Sequence, residues 1–377
     1  MPRAPAVGTT RSLFQVNHLR NETDMRNNTH TPARIKVGIA TYNDFEYLEM
    51  LLQSIDWYTM IDEPFDIVVC DDGTKKFYNP IDNSIHERQH PNGIAYKPII
   101  EKVREVCGRF NAILLEHDEN KGIPATWNHL ALSLEAKAEI VVLLNNDLLM
   151  PPQWLDVAVH FLDANKDNPQ VGSMFWNPIN RVSKVVMREV LPTLGHTTYE
   201  TRDVLSGQKL DFNSSNHFQA RVGDGHGLGR VMCPCGCCFA FRMSTFLEVG
   251  SFWEELTSFH EESDWGTACA AKGRAAYGFA YPRPYHTHGA SFAVHQELQG
   301  TPRMIRSRAM YRAKWNVPQD VRDDAYFKFV DDSLMPQIPR TTLRYLSPDY
   351  TALPVSKQLP GGEIMRLPRL VEKQGEF

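Results

Sequence analysis

The fold is decided by the stretch Glu139-Ile140-Val141-Val142-Leu143-Leu144-Asn145-Asn146-Asp147. Five apolar residues run without a break and then give way to three polar side chains that can bind a cation. An unbroken apolar run is typical of a strand buried on both faces, as in a parallel sheet covered by helices. Because ligands of open α/β sheets bind beyond the carboxyl ends of such strands, we expect Asp147 at a ligand-binding edge. A strand that ends in an ordinary polar turn would explain this stretch alone equally well.

Outward from this stretch, apolar runs of strand length alternate with apolar residues at helical spacing. The alternation predicts βαβ units, and therefore an α/β protein with a mostly parallel central sheet flanked by helices. The predicted strands are Ile35–Ala40, Phe65–Cys70, Ala112–Leu115, Ile140–Leu144, Val171–Trp176, Phe239–Arg242 and Ala275–Tyr281.

Polar residues follow each of the first four predicted strands. Carboxyl ends of parallel strands meet at one edge of a sheet, so we expect these side chains to lie together. Such an edge offers hydrogen-bonding groups for a ribose and a base, together with a carboxylate for a cation. The residues are Thr41 and Asn43, then Asp71 and Asp72, then Asn120, and finally Asp147.

Two phosphate-binding motifs are missing from the sequence. No strand is followed by the Gly-x-Gly-x-x-Gly fingerprint or by the Gly-x-x-x-x-Gly-Lys-Ser/Thr loop. A diphosphate bound at this edge would therefore lack the usual glycine-rich loop. We expect a hard cation, Mn²⁺ or Mg²⁺, to neutralise it, since both prefer oxygen ligands and bind phosphate oxygens.

The bulk composition excludes several classes of protein. The 377 residues are 42% hydrophobic and 23% charged, which is ordinary for a soluble globular protein, and the net charge of -5 argues against nucleic-acid binding. No apolar run is long enough to span a membrane, and the first residues lack the apolar core of a signal peptide. The seven cysteines do not form a disulfide or zinc pattern, even in the run 233–238. We expect free thiols in a cytoplasmic protein that is soluble or peripheral to a membrane.

Two later stretches carry candidate reactive groups. Glu261, Glu262 and Asp264 fall in the first turn of a predicted helix, where the helix dipole favours carboxylates. Crowded carboxylates also have raised pKa values, which suits a general base. Farther on, His286 and His288 follow a predicted strand and are spaced to point the same way. Plain charge complementation of the helix and an incidental histidine pair are the alternatives.

These motifs, in this order, resemble those of the family 2-like glycosyltransferases, enzymes with the GT-A fold. The resemblance covers about residues 34–300 and includes an Asp-x-Asp variant common in rhamnosyltransferase-like members. The matching segments are Ile39-Ala40-Thr41-Tyr42-Asn43, Val69-Cys70-Asp71-Asp72-Gly73-Thr74, Asn120-Lys121-Gly122 with Trp127-Asn128, Leu144-Asn145-Asn146-Asp147, Val249-Gly250-Ser251-Phe252 and Glu261-Glu262-Ser263-Asp264-Trp265.

The resemblance implies a role for each matching residue. A nucleotide-diphosphate sugar, with uridine, thymidine or guanosine as its base, would contact Thr41, Asn43, Asp71, Asp72, Asn120, Gly122, Asn128, Asn145 and Asn146. Asp147 would bind the metal together with His286 or His288. Glu262 would be the catalytic base, with Asp264 as the second carboxylate of the catalytic motif, and Glu261 and Trp265 would face the acceptor. The implied reaction is an inverting, metal-dependent transfer of a sugar to a hydroxyl of a glycan or glycoconjugate.

This sequence departs from the family pattern at three positions. Glu262 stands where the family has an aspartate, so the base would reach about one bond further. Trp265 replaces an aliphatic residue, and a single carboxylate, Asp147, remains in the Asp-x-Asp variant.

A sugar nucleotidyltransferase and a non-catalytic carbohydrate-binding module are alternative functions. The first usually has a glycine-rich basic loop after its first strand, where this chain has Thr41-Tyr42-Asn43-Asp44.

The sequence divides into three parts. Residues 1–33 are polar and without periodicity, which predicts a flexible tail. Residues 34–300 form the predicted GT-A domain. Residues 301–377 begin with a basic helical stretch from Arg303 to Lys314 and continue with many prolines. We expect this C-terminal arm to pack on the domain or on another copy of the chain.

Overall fold

The structure, a computed structural model, describes residues 33–89, 96–133, 138–176, 178–180, 182–196, 221–222, 228–231, 236–279, 282–287, 301–322, 325–339, 350–358, 362 and 364–372. All but the last residue of the predicted tail at 1–33 lies outside these ranges. So do His288, Cys233 and Cys235.

Seventeen strands occur in the described residues. Most of the long ones match the predicted strands to within a residue or two. In chain order they are β1 (Ile35–Thr41), β2 (Phe65–Asp71), β3 (Phe77–Tyr78), β4 (Ile85–His86), β5 (Lys97–Pro98), β6 (Ile113–Glu116), β7 (Ile140–Asn145), β8 (Leu148–Leu149), β9 (Val171–Trp176), β10 (Ile179–Asn180), β11 (Arg221–Val222), β12 (Leu228–Val231), β13 (Cys238–Arg242), β14 (Ala275–Phe279), β15 (Tyr285–His286), β16 (Tyr350–Gln358) and β17 (Ile364–Glu372).

Nine α-helices accompany the strands in the same described ranges. They are α1 (Glu46–Tyr58), α2 (Ile99–Arg109), α3 (Ile123–Leu132), α4 (Trp154–Ala164), α5 (Lys184–Val190), α6 (Met243–Val249), α7 (Glu261–Ala271), α8 (Thr301–Lys314) and α9 (Tyr326–Leu334). Short 3₁₀ helices lie at Leu191–His196, Glu254–Leu256 and Met335–Gln337. None of the described helices is long and apolar enough to cross a membrane.

The central sheet has nine strands in the order β11-β12-β14-β9-β13-β7-β1-β2-β6. β7, β1, β2 and β6 pair in parallel, β14 pairs in parallel with β9, and β13 is antiparallel to both of its neighbours. Seven of the nine strands therefore run in one direction, with β13 and β12 as the exceptions. The predicted α/β class, with a mostly parallel central sheet flanked by helices, is confirmed.

β7 is buried on both faces, as its unbroken apolar run predicts. Ile140, Val142 and Leu144 belong to one hydrophobic cluster of the core. Val141 and Leu143 alternate with them and belong to a second cluster on the opposite face. Because successive side chains of a strand point to opposite faces, a fully apolar strand fits only a sheet covered on both sides.

The C-terminal part contains regular structure that the sequence pattern does not indicate. β16 and β17 form a nine-pair antiparallel hairpin. Met365 and Leu367 are buried in a cluster with residues of α1, including Met50 and Tyr58. The hairpin therefore packs on the domain, one of the two expected arrangements of the C-terminal arm. Pro354 and Pro368 pair with each other inside the hairpin. Because proline is uncommon within strands, these residues give no indication of a hairpin in the sequence.

Gly122 lies where two loops meet at the carboxyl edge of the sheet. Its backbone has φ 92° and ψ 163°, a conformation that is essentially restricted to glycine. A Cβ at this position would overlap the carbonyl oxygen of Thr257. The same carbonyl accepts a hydrogen bond from the amide of Ile123 at 3.0 Å. The start of α3 is thus fixed against the segment that leads into α7.

We predict that Gly122→Ala destabilises the protein more than Gly250→Ala does. Gly250 has nearly the same backbone conformation (φ 104°, ψ 171°), but a Cβ there would meet no atom within 4 Å. Each substitution should cost about 1–3 kcal/mol of unfolding free energy for the strained backbone. Gly122→Ala should lose a further ~1–3 kcal/mol because Thr257 must move. Urea unfolding of both variants measures the difference, and equal losses would contradict the contact.

Candidate active site

The ends of β1, β2 and β7 meet at one edge of the sheet. Thr41 is paired with Asp71, and Ala40 with Asn145. The amide of Asp72 also donates to the carbonyl of Thr41 at 2.9 Å. The structure therefore brings together the polar residues that follow these three strands.

Asn146 connects β7 to β1 at this edge. Its Nδ2 donates to Oγ1 of Thr41 at 3.0 Å, and the Thr41 hydroxyl donates to the carbonyl of Asp44 at 3.1 Å. All three side chains are buried. This chain of hydrogen bonds fixes the turn after β1 relative to the Asn145-Asn146-Asp147 segment.

Asp147 and His286 form the pair with the geometry of a cation site. Oδ1 of Asp147 lies 3.3 Å from Nε2 of His286, and both side chains are less than a tenth exposed. The pair is held by backbone contacts, because β8 follows Asp147 and pairs antiparallel with β15, which contains His286. The amide of Thr287 also donates to the carbonyl of Asp147 at 3.2 Å. A carboxylate oxygen and an imidazole nitrogen at this separation fit two ligands of one Mn²⁺-like ion.

A tyrosine and a lysine that the sequence did not single out lie beside this pair. The Lys184 amine lies 4.1 Å from the centre of the Tyr47 ring and forms ion pairs with Asp44 at 3.1 Å and Glu46 at 2.9 Å. Burial raises the pKa of Asp44, and it raises the pKa of Tyr47 as well. Thr287, next to His286, hydrogen-bonds the Tyr47 side chain. Tyr47 occupies an ordinary apolar position of α1 in the sequence, so no local signal marks it.

Asp71 closes a tight turn after β2. Its Oδ2 accepts a hydrogen bond from the amide of Thr74 at 2.8 Å, and its Oδ1 accepts one from the Thr74 hydroxyl at 2.5 Å. Burial raises the pKa of Asp71 to about 6, and the two hydrogen bonds from Thr74 oppose that rise. The hydroxyl and carboxylate are thus pre-positioned at the edge where we expect a ribose.

Asp72 organises the next loop of the same edge. Its Oδ1 accepts a hydrogen bond from the amide of Lys121 at 2.9 Å, and its Oδ2 accepts one from the amide of Gly122 at 3.0 Å. Nδ1 of His117 lies 2.9 Å from Oδ1 as well. Asp72 therefore holds the loop that contains Asn120, which is itself partly exposed.

The side chains of Asn43 and Asn128 also form hydrogen bonds with the backbone. The oxygen of Asn43 accepts hydrogen bonds from the amides of Lys75 and Lys76 at 3.3 and 3.4 Å. Asn128 bonds both the amide and the carbonyl of Phe252, at 2.8 and 2.9 Å, and donates to Glu254 at 2.8 Å. Both asparagines are buried. Their contacts shape the loops of the edge, and the prediction that they touch a nucleotide sugar remains a prediction.

Glu262 reaches the same edge from the other side of β7. The amide of Asn145 donates to the carbonyl of Cys237 at 2.8 Å, at the start of β13. One residue earlier, a Cβ on Gly236 would lie 3.1 Å from the carboxyl carbon of Glu262. The carboxyl group of Glu262 thus packs against the short segment that is hydrogen-bonded to the end of β7. This arrangement links the acidic start of α7 to the Asn145-Asn146-Asp147 segment.

Two neighbouring carboxyl groups of α7 have pKa values well above those of exposed glutamates. Burial raises the pKa of Glu262 to about 7. Burial, with the nearby charge of Glu262, raises the pKa of Glu261. One oxygen of Glu261 is buried without a hydrogen-bond partner among the residues that the structure describes. Glu262 is therefore balanced between its protonated and ionised forms near neutral pH, which suits a group that accepts a proton.

The side chains of Asp264 and Trp265, whose catalytic and acceptor-facing roles stay predictions, contact other parts of the described chain. Oδ2 of Asp264 accepts a hydrogen bond from Lys314 at 2.7 Å, and Oδ1 accepts one from Nε1 of Trp315 at 2.8 Å, so the C-terminal helix α8 occupies both oxygens. Trp265 is 1% exposed and packs among the aromatic rings of Phe241, Phe246 and Phe252. In the described part of the chain, the Trp265 ring is therefore part of the aromatic core.

Comparison with solved structures gives a weak resemblance. The chain is 14% identical to S. aureus TarS over 80% of this chain and 42% of that one, with a TM-score of 0.43. It is 14% identical to S. aureus TarS 1-349 in complex with UDP, over 80% of this chain and 70% of that one, with a TM-score of 0.44. It is 16% identical to the mannosyltransferase PcManGT from Pyrobaculum calidifontis in complex with GDP-Man and Mn²⁺, over 81% and 75%, with a TM-score of 0.42.

These values are too low to say anything about the chemistry of this chain, which spans less than half of the TarS chain. No protein-family model and no curated protein matches the sequence. Function must therefore be argued from the residues at the edge of the sheet.

We predict that Asp264→Ala lowers the free energy of unfolding by about 1–3 kcal/mol, because it leaves the partly buried indole N–H of Trp315 without its acceptor. Lys314→Met should cost less, about 0–1 kcal/mol, since the lysine is 38% exposed and its ion pair is screened. Asp320→Ala, at an exposed position beyond α8, is the matched control and should change nothing. Chemical denaturation measures all three, and an unchanged Asp264→Ala variant would contradict the structural role.

Proposed function

We propose that this protein is a metal-dependent glycosyltransferase that moves a sugar from a nucleotide-diphosphate sugar to an acceptor hydroxyl with inversion. One observation carries the proposal. A buried carboxylate–imidazole pair, Asp147 and His286, lies at the same sheet edge as a carboxylic acid whose pKa is near neutrality, Glu262. A transfer with a departing diphosphate and an attacking hydroxyl needs these two features: a place for a cation and a proton acceptor.

Asp147 and His286 would hold the Mn²⁺ or Mg²⁺ ion. Their 3.3 Å separation and the pairing of β8 with β15 fix both donors before any ligand arrives. When bound, the ion supplies positive charge that offsets the charge on the departing diphosphate. Lys184 is a second positive charge near this pair, but its ion pairs with Asp44 and Glu46 compete with phosphate.

Glu262 would act as the general base. As the acceptor oxygen attacks the anomeric carbon, the bond from that carbon to the diphosphate oxygen breaks, and the hydroxyl proton passes to the Glu262 carboxylate. A single displacement of this kind inverts the anomeric carbon. The raised pKa of Glu262 makes its carboxylate a stronger base than that of an exposed glutamate.

The remaining residues would bind the donor. The Asp71–Thr74 turn and the hydroxyl of Thr41 lie at the ends of neighbouring strands, and Asn146 is fixed to Thr41. Asn120 lies on the loop that Asp72 orders. Asn43 and Asn128 would act indirectly, by shaping the loops. We assign the acceptor site to the side of Glu261 and Glu262, and the acceptor to a glycan or another hydroxyl-bearing molecule.

We predict that Asp147→Ala and His286→Ala each lower kcat/KM at least about 100-fold, equivalent to roughly 3 kcal/mol of lost transition-state stabilisation. The decrease follows from the loss of one of the two donors to the cation. Asp82→Asn, in an exposed turn, is the control and should retain full activity. The assay is Mn²⁺-dependent hydrolysis or transfer of UDP-, dTDP- and GDP-sugars, and full activity in either site variant would contradict the cation site.

We predict that Glu262→Gln lowers kcat about 10²–10⁴-fold, the usual contribution of a positioned general base. Binding of the nucleoside diphosphate with Mn²⁺ should stay unchanged, because the proposed ligands of the cation are Asp147 and His286. Glu262→Asp restores the carboxylate at shorter reach and should recover part of the rate. Calorimetric titration of the nucleotide and steady-state kinetics separate the two effects. Loss of nucleotide binding in Glu262→Gln would mean that Glu262 binds the donor, which contradicts its role as the general base.

We predict that kcat/KM rises with pH up to about 7 and then levels off. Only the ionised carboxylate of Glu262 accepts a proton, and burial raises its pKa to about 7, so activity falls as pH drops below that value. In Glu262→Gln the residual rate should no longer show this acidic limb. A wild-type profile that is flat from pH 5 to 7 would show that another group is the base.

A further inference from the structure

A second group of metal-binding side chains lies outside the Asp147–His286 pair. Cys70 is in β2, His117 follows β6, and His129 is in α3. Sγ of Cys70 lies 3.7 Å from Nε2 of His117 and 3.9 Å from Nδ1 of His129. The two nitrogens lie 3.0 Å apart. Three elements that are distant in sequence thus bring one sulfur and two nitrogens to a single point.

The triangle of donor atoms has the size of a tetrahedral metal site. With metal–nitrogen bonds of about 2.0–2.1 Å and a metal–sulfur bond of about 2.3 Å, two nitrogens are ~3.3 Å apart and each lies ~3.6 Å from the sulfur. The observed separations of 3.0, 3.7 and 3.9 Å differ from these values by no more than ~0.4 Å. Small rotations of the imidazole rings would close that difference.

His117 also has the outer contact that metal-bound histidines usually show. Its Nδ1 lies 2.9 Å from Oδ1 of Asp72, and both side chains are only about a twentieth exposed. A carboxylate on Nδ1 keeps the proton there, so that Nε2 presents its lone pair toward Cys70 and His129. This carboxylate–histidine arrangement fixes the ring orientation and increases the basicity of the ligand nitrogen.

The surroundings favour a cation of a particular kind. The Cys70 side chain is fully buried, and the charges that act on it are those of Asp72 and Asp71, which are negative, and that of Lys121, which is positive. A thiolate with two imidazoles is a soft donor set, which selects zinc-like transition metals over Mg²⁺ or Mn²⁺. Asp147 and His286 supply one oxygen and one nitrogen but no sulfur, so that pair accepts Mn²⁺ or Mg²⁺ more readily than the Cys70 group does.

We propose that Cys70, His117 and His129 bind one transition-metal ion of the zinc class, with a fourth position left for water or another small ligand. The proposal does not rest on the proposed glycosyltransferase activity. The ion would join β2, the end of β6 and α3. Through His117 and Asp72 it would also stabilise the loop at Lys121 and Gly122, whose amides Asp72 binds. Its role would be to hold that loop in place, not to carry out chemistry.

Cobalt substitution tests the site directly. The full-length chain, stripped with a chelator, is titrated with Co²⁺ and then with Zn²⁺. One equivalent of Co²⁺ should give a sulfur-to-cobalt charge-transfer band, and one equivalent of Zn²⁺ should abolish it and raise the melting temperature. Cys70→Ser should abolish the band. Cys269→Ser, which removes a buried free thiol of α7, is the matched control and should keep it.

Two further variants keep the test decisive if Cys70→Ser fails to fold. His129→Gln, at a partly exposed position, should weaken Zn²⁺ binding at least about 10-fold. Loss of a residue that only hydrogen-bonds a metal ligand already weakens binding about 10-fold, and His129 would be a ligand itself. Asp147→Ala should retain the cobalt band, which separates this site from the catalytic pair. No band with the wild type, or a band that survives both Cys70→Ser and His129→Gln, would overturn the proposal and leave a hydrogen-bonded histidine pair.

Discussion

Burial of β7 on both faces is the constraint on which the rest of the molecule depends. Five consecutive apolar residues are shared between two hydrophobic clusters, so the strand must lie inside the sheet with helices on either side. The chain leaves the core only at Asn145, where polar groups first have room. Three residues of the proposed site are placed relative to that exit: Thr41 through Asn146, His286 through β8, and Glu262 through Gly236 and Cys237.

The loops of this edge are built from buried polar side chains that bond to backbone. Asp71, Asp72, Asn43 and Asn128 each satisfy amides or carbonyls of a neighbouring segment. Buried polar groups are costly unless they are paired, so such networks fix a single loop conformation. A ligand site made in this way is rigid before binding, which reduces the entropy lost when a substrate binds.

The sequence predicts the strands well because their signal is local: an apolar run that ends on polar residues needs no knowledge of the partner strand. It also predicts that Thr41, Asp71 and Asp147 share an edge, since parallel strands end together. It does not predict the Cys70–His117–His129 group, Tyr47 or the β16–β17 hairpin, because each depends on contacts between distant segments. Trp265 is ambiguous in the sequence for another reason. An aromatic residue next to an acidic motif is typical either of a ligand-binding face or of the core, and in the structure it packs in the core.

The direction of β13 has a consequence for how such a protein can change. Because β13 runs against β7 and β9, the end of β9 and the start of β13 both lie at the carboxyl edge. The connection between them, residues 177–237, contributes β11 and β12 to the far side of the same sheet and returns at Gly236 and Cys237, next to Glu262 and Asn145. Changes between β9 and β11, or between β12 and β13, need not alter the parallel pairing of β7, β1, β2 and β6. Evolution or an engineer could therefore vary these parts of the connection while the edge formed by β7, β1 and β2 keeps its geometry.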